Sequence, residues 1–376
     1  MILVANIIKY SKFQIFTKNS EHGSLFLVGV RFLMRDSFGV KLILLLPLLL
    51  ALSACQPNSS LPQKVTFSGP IMGTQYRITV LLANENKDKA SQVERDAIQA
   101  MEFVNQSMST YLEGSEINAL NKAPENTKIT LSESLQEVIE QSLELSEMSD
   151  GAFDITIGKA VNLWGFGPDG AITKSPTGEQ LGAIKNSIGY QKLYLEESTI
   201  TKSTTNLSID LSAIAKGYAV DQVANALEGY GISNYLIDIG GELRASGFAQ
   251  GKQAWRVGIE KPHTLGGIQQ VIALTNKSIA TSGDYRNYHI IDGEHYSHTI
   301  DAITLKPVFH RLALVSVVDD TASRADGLAT AIMALGDEKG WAFAKQNGLA
   351  VYMVVREDEK DQYRVQMTKK FEQYLQ

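Results

Sequence analysis

The chain has 376 residues, a formal net charge of −6, 44% hydrophobic and 8% aromatic residues, and one cysteine. That balance is ordinary for a globular protein, and with no basic stripe or basic–aromatic run it excludes nucleic acid as a partner. A single cysteine rules out a disulfide framework, so stability has to come from a buried core, which a chain of this length can build.

Met34-Arg35 and Lys41 supply a short basic stretch, and residues 42–52 form an apolar run too short to span a bilayer. Small residues, Ser53-Ala54, then precede the lone thiol of Cys55. This order predicts a bacterial lipoprotein. Residues 1–54 read as a signal peptide removed at Cys55, with Met34 as the expected initiator, and the Cys55 thiol as the site of lipidation. A signal anchor, or a core segment with an incidental thiol, is the alternative. Residues 55–63, polar with two prolines, read as a lipidated tether. Gln56, rather than an acidic residue behind the cysteine, leans toward the outer membrane. The expected location is the periplasmic face of the cell envelope, anchored by lipid in the inner or outer membrane.

Residues 64–376 read as one domain, because no Pro/Gly/Ser-rich linker divides them. Residues 74–82 alternate polar and apolar, as a half-buried strand does. Helical spacing follows over 91–105. Ser132 caps a helix with Leu135, Val138, Ile139, Leu143, Leu145 and Met148 on one side, closed by Asp150-Gly151. Strands are expected at 207–211, 235–239, 242–248, 255–260, 271–274 and 312–318, with helices at 215–230 and 321–335. Gly240-Gly241 between two strands reads as a tight hairpin. Strand mostly follows strand, which predicts an α+β domain with a largely antiparallel sheet. Neither GxGxxG after a strand nor GxxxxGK[ST] is present.

Four stretches break the pattern with chemistry. Asp326 and Thr330 stand four apart in Ala325-Asp326-Gly327-Leu328-Ala329-Thr330-Ala331, so a helix stacks carboxylate over hydroxyl on one face. The pair suits a hard cation such as Mg2+. It equally suits an exposed helix face with an acid near the positive end of the dipole. In Asp210-Leu211-Ser212-Ala213-Ile214-Ala215-Lys216-Gly217 a strand ending in an acid turns into a helix with Lys in its first turn, where the dipole disfavours it. Either that lysine snorkels, or it meets an anion beside the free N–H groups of the turn. The Ala213 carbonyl in this turn lacks a helical partner and can serve as a metal ligand. In Tyr296-Ser297-His298-Thr299-Ile300-Asp301, His298 reads as a general base with Asp301 as its orienting acid, or as an ordinary structural histidine. Gly151-Ala152-Phe153-Asp154 after the long helix offers backbone and a ring to a planar heterocycle, with core packing as the plainer reading.

In this order, and with Met72-Gly73-Thr74, Met108-Ser109-Thr110-Tyr111, Asp238-Ile239-Gly240-Gly241-Glu242 and Ile279-Ala280-Thr281-Ser282-Gly283-Asp284-Tyr285, these stretches resemble the ApbE-type FAD:protein FMN transferases. The likeness runs from about Val65 to the C-terminal region. It implies an enzyme that binds FAD and Mg2+, transfers the FMN moiety to a Thr or Ser hydroxyl of a target flavoprotein, and releases AMP. The metal would be held by Asp326, Thr330 and the carbonyl of Ala213. Met72, Tyr111, Ala152, Phe153, Asp154, Asp210, Lys216, His298, Thr299 and Ile300 would line the FAD site, with Glu242 a further candidate, and His298 with Asp301 would be catalytic. Implied partners are flavoproteins of membrane redox complexes, such as subunits of the sodium-pumping NADH:quinone reductase or Rnf type. Ala302 departs from the proline usual after the His-x-Ile-Asp run. An FAD pyrophosphatase and a non-catalytic flavin-binding lipoprotein remain as alternatives.

Overall fold

The computed structural model describes residues 62–376, apart from 263–266, 286 and 360–361, together with a short strand pair, Ile15–Phe16 with Gly29–Val30. Apart from that strand pair, the predicted leader, Cys55 and all but the end of the predicted tether therefore lie outside the described residues. Residues 1–60 and 61–376 are separate units, and every assigned site residue except Cys55 belongs to the second. Its first strand begins at Gln63, the last residue assigned to the tether.

Eight antiparallel strands form the main sheet. They are β1 (Gln63–Ile71), β2 (Thr74–Leu82), β3 (Tyr235–Ile239), β4 (Glu242–Ser246), β5 (Lys277–Gly283), β6 (Leu312–Asp319), β7 (Ala350–Arg356) and β8 (Tyr363–Met367), and they lie side by side in chain order. The sheet is thus a meander whose connections have been enlarged. The long insertions after β2, β5 and β6 and the short turns after β1 and β3 carry the candidate site residues. The antiparallel expectation holds, and β2 and β3 have the predicted bounds.

Four long helices cover one face: α1 (Ala90–Met108), α2 (Glu133–Met148), α3 (Ala215–Gly229) and α4 (Ala322–Gln346). Alternation along β2 sends Ile78, Val80 and Leu82 into the core under these helices, where Met101, Val220 and Leu328 meet them. The opposite face is closed by the hairpin of Trp255–Glu260 with Ile268–Leu274 and by the C-terminal helix Lys369–Glu372, whose Phe371 is fully buried. Because β6 is covered on both sides, residues 312–318 are all buried, and the strand reads as a continuous apolar run rather than an alternating one.

Two expectations need correction. Residues 207–211 do not form a strand of a sheet. Ser208 makes one isolated bridge to Ile157, while the Asn121 amide takes the Ile209 N–H (2.7 Å) and donates to its carbonyl (2.9 Å). A side chain thus satisfies the backbone where a neighbouring strand would. The helix expected to end at Leu335 does pause there, at Gly336 (φ 78°), and then resumes to Gln346. The His310 ring lies across the break, bonded to the Met333 carbonyl at 2.7 Å, and a Cβ on Gly336 would come within 2.8 Å of it.

Candidate active site

A cavity of about 360 Å³ opens between the helix-bearing insertions and the β3–β4 and β5 strand ends. Its walls include Tyr111, Ala152, Phe153, Asp154, Asp210, Ala213, Lys216, Glu242, His298, Thr299, Ile300, Asp326 and Thr330. Of the residues assigned to the flavin site, Met72 is absent from this lining. It occupies the two-residue turn between β1 and β2, with Met72 (φ 48°) and Gly73 (φ 72°) both in the left-handed region that such hairpins require.

The charged end of the cavity is built where α3 and α4 touch. Gly217 makes the approach possible, since a Cβ there would lie 2.3 Å from the Ala322 carbonyl oxygen. One turn into a regular helix the Gly217 N–H would seek the carbonyl four residues back, that of Ala213. It donates instead to Asp326 Oδ2 at 3.1 Å, which leaves the Ala213 carbonyl without its helical donor. Lys216 Nζ reaches across to Glu242 Oε1 at 2.7 Å. Glu242 is held in the β3–β4 turn, where Gly240 (φ 68°) and Gly241 (φ 107°) form the predicted hairpin.

Two carboxylates are therefore buried with one lysine between them. Burial pushes the Asp326 carboxyl up to about 8, against the lowering by Lys216 and with a further rise from the charge of Glu242. Glu242 Oε2 is buried with no hydrogen-bond partner among the described residues. Such a cluster holds an unsatisfied oxygen and, once Asp326 ionises, surplus negative charge, both of which a divalent cation relieves. No group of three or more His, Cys, Asp or Glu able to hold a metal occurs among the described residues. The fitting donor set is mixed: the Asp326 carboxylate, the Thr330 hydroxyl one turn on, and the Ala213 carbonyl. Few protein oxygens, with other positions left to water and phosphate, is what Mg2+ favours.

His298 faces this cluster from the insertion after β5. Its Nδ1 lies 3.0 Å from the Asn287 carbonyl, which also accepts the His298 N–H at 3.2 Å. A carbonyl only accepts, so Nδ1 carries the proton and Nε2 keeps its lone pair. Burial and nearby Lys216 hold the imidazole below its usual value, outweighing the Asn287 bond and Asp284. The ring is thus a neutral base near pH 7. Asp301 does not orient it: its Oδ1 accepts the N–H groups of Ile303 and Thr304, both at 2.8 Å, and closes the next turn. The three-residue spacing that suggested the pair spans a strand end and a turn, which sends the two side chains apart.

The rest of the wall is scaffold as well as surface. Asp154 accepts from the Thr156 N–H and hydroxyl and from the Tyr190 N–H, so its carboxylate shapes the loop behind Phe153. Asp210 accepts the Ser212 N–H at 2.8 Å and fixes the turn into α3. Tyr111 donates its hydroxyl to the Phe166 carbonyl at 2.8 Å. Phe166 stacks on His289 at 4.3 Å and meets His298 edge-on at 6.3 Å. Thr281, Ser282, Gly283, Asn287 and Phe166 also line the cavity, and sequence reasoning gave none of them a role. Asn287 offers only a carbonyl, which leaves no signal in sequence; Trp164-Gly165-Phe166-Gly167 was a visible aromatic–glycine cluster.

The sequence profile of the ApbE family matches residues 72–353. The chain belongs to the ApbE family. The FAD:protein FMN transferase of Vibrio cholerae is 40% identical over 313 residues, 83% of this chain and 92% of that one. The solved structure of flavin transferase ApbE from Vibrio cholerae superposes with a TM-score of 0.78 at 37% identity, covering 84% of this chain and all of the other. The apo form of Pseudomonas stutzeri flavinyl transferase ApbE gives 0.78 at 35% identity over 85% and 98%. The α+β ApbE architecture thus extends through the whole described domain.

Proposed function

We propose that this ApbE-family chain is an FAD:protein FMN transferase that uses Mg2+, and that lipid on Cys55 holds it at the periplasmic face of the cell envelope. The observation that carries the reading is one cavity lined by a buried acid–lysine–acid cluster and by an imidazole whose Nδ1 is tethered and whose Nε2 is basic. Asp326, Thr330 and the Ala213 carbonyl would hold the ion, which supplies charge neutralisation at the diphosphate. Lys216 adds a fixed positive charge where the leaving phosphate develops negative charge. The hydroxyl of an acceptor Thr or Ser gives its proton to His298 Nε2 as its oxygen bonds to the FMN phosphorus. The bond from that phosphorus to the bridging oxygen breaks, and AMP leaves with the electron pair. Phe153, Tyr111 and Phe166 provide the apolar and aromatic wall suited to a planar ring system.

The acceptors proposed are flavoproteins of membrane redox complexes, of the sodium-pumping NADH:quinone reductase or Rnf type. The test is to incubate the chain with FAD, Mg2+ and such a domain and to weigh the domain. A gain equal to FMN less water supports transfer. Release of free FMN with an unmodified acceptor supports a pyrophosphatase, and intact FAD supports a carrier.

A further inference from the structure

A second groove, of about 500 Å³, lies on the sheet face opposite the helices. It runs between the strands β2–β5 and the strand Trp255–Glu260, and it shares Gly240, Thr281 and Gly283 with the cavity that holds the acid cluster and His298. Its floor is mixed: half-buried Leu236 and Leu243 beside buried Ile279 form an apolar patch, flanked by Gln75, Asp238 and Thr281. Its side wall is a strand edge. Residues 256–260 all line the groove, and Trp255–Glu260 pairs only with Ile268–Leu274 among the described strands, so its other edge has no strand partner there.

We infer that this groove seats the acceptor polypeptide as an extended segment, with its target Thr or Ser delivered over the Gly240–Gly283 rim to the neighbouring cavity. This rests on the transferase reading above, which requires a protein hydroxyl to come within bonding distance of a phosphorus held beside Asp326 and His298. The extended segment is favoured because a strand edge with no strand partner among the described residues offers main-chain N–H and C=O groups, while Leu236, Leu243 and Ile279 offer an apolar patch to its side chains. Continuity decides the occupant: the groove meets the catalytic cavity at its walls, and only the acceptor of the two substrates is a polypeptide.

The probe is the soluble FMN-carrying domain of a sodium-pumping NADH:quinone reductase subunit, made without a flavin transferase so that its acceptor hydroxyl is free. Two substitutions alter the groove outside the catalytic cavity, Leu243→Glu in the floor and Arg256→Glu on the exposed side of the edge strand. Each is expected to raise KM for the acceptor domain about tenfold or more while FAD affinity, read from flavin fluorescence, stays within about twofold of wild type. Wild-type KM for the acceptor in variants that bind FAD overturns the groove assignment. Parallel loss of FAD affinity in folded variants overturns it also, since the groove would then belong to the flavin site. Should Leu243→Glu fail to fold, Arg256→Glu, at an exposed position, decides alone. Failure of the wild-type chain to modify the domain at all would instead remove the transferase reading.

Discussion

The guanidinium of Arg356 and the carboxylate of Asp284 meet in a two-bond fork, at 2.7 and 2.6 Å. Arg356 ends β7, and Asp284 opens the insertion that three residues later presents the Asn287 carbonyl to His298. A rigid strand end thus sets the position of a loop-borne base. Arg356→Lys keeps the charge and loses the planar fork. Because Arg356 does not line the cavity, the expected result is a turnover about tenfold lower with FAD affinity unchanged, measured as kcat beside a flavin-fluorescence Kd. Equal losses in both would mean that the fork merely supports the fold.

Asp221 of α3 predicts a different failure. Its carboxylate accepts the Ala322 and Ser323 N–H groups at the start of α4, at 3.0 and 2.9 Å, and pairs with Arg244 at 2.7 Å. That one side chain caps the helix bearing Asp326 and fixes it against the helix bearing Lys216. Asp221→Ala leaves a half-buried arginine and two orphan donors, a loss of about 3–5 kcal/mol. Urea unfolding should show a lower midpoint with an unchanged slope, and Mg2+ affinity should fall along with it.

These relationships mark what the sequence could and could not convey. The β2 strand, the Gly240-Gly241 hairpin, the Asp326/Thr330 spacing and Lys216 in a first helical turn are local patterns, and each was readable. The Arg356–Asp284 fork joins residues 72 positions apart and Asp221 meets α4 across about a hundred. Nothing at either end announces such a partner. The Asp301 misreading has the opposite origin: local spacing suggested a contact that the turn at Ile303 and Thr304 consumes.

Asp326 makes stability depend on pH in a direction unusual for a carboxylate. Its folded-state value is raised above the unfolded one of 3.8, so the folded chain prefers the neutral acid. That contribution is complete below about pH 4 and is lost as pH rises toward about 8. Without metal, Asp326→Asn should therefore be more stable than wild type at pH 8, with little difference near pH 4. Mg2+ needs the ionised carboxylate, so wild-type affinity should climb with pH up to about 8, each binding event releasing part of a proton. In Asp326→Asn, Mg2+ should no longer raise Tm. Thermal melts with and without millimolar Mg2+ at the two pH values check both halves, and an unchanged Mg2+ response in the variant would remove Asp326 from the ligand set.

His298 supplies the last test, because its geometry fixes which nitrogen works. With Nδ1–H held by Asn287, only Nε2 can take a proton, and burial beside Lys216 keeps the ring below the ordinary histidine value. With Mg2+ held saturating, the rate should fall as pH drops through that lowered value, so the acid limb of kcat/KM that His298 sets lies on the acid side of 6.5. His298→Ala should cost about 10² to 10⁴-fold in FMN transfer with FAD binding retained. It should also abolish the acid limb, which a structural histidine at the same place would not do. A variant that transfers FMN at the wild-type rate, or that keeps the wild-type pH profile at reduced rate, would assign the proton to another acceptor.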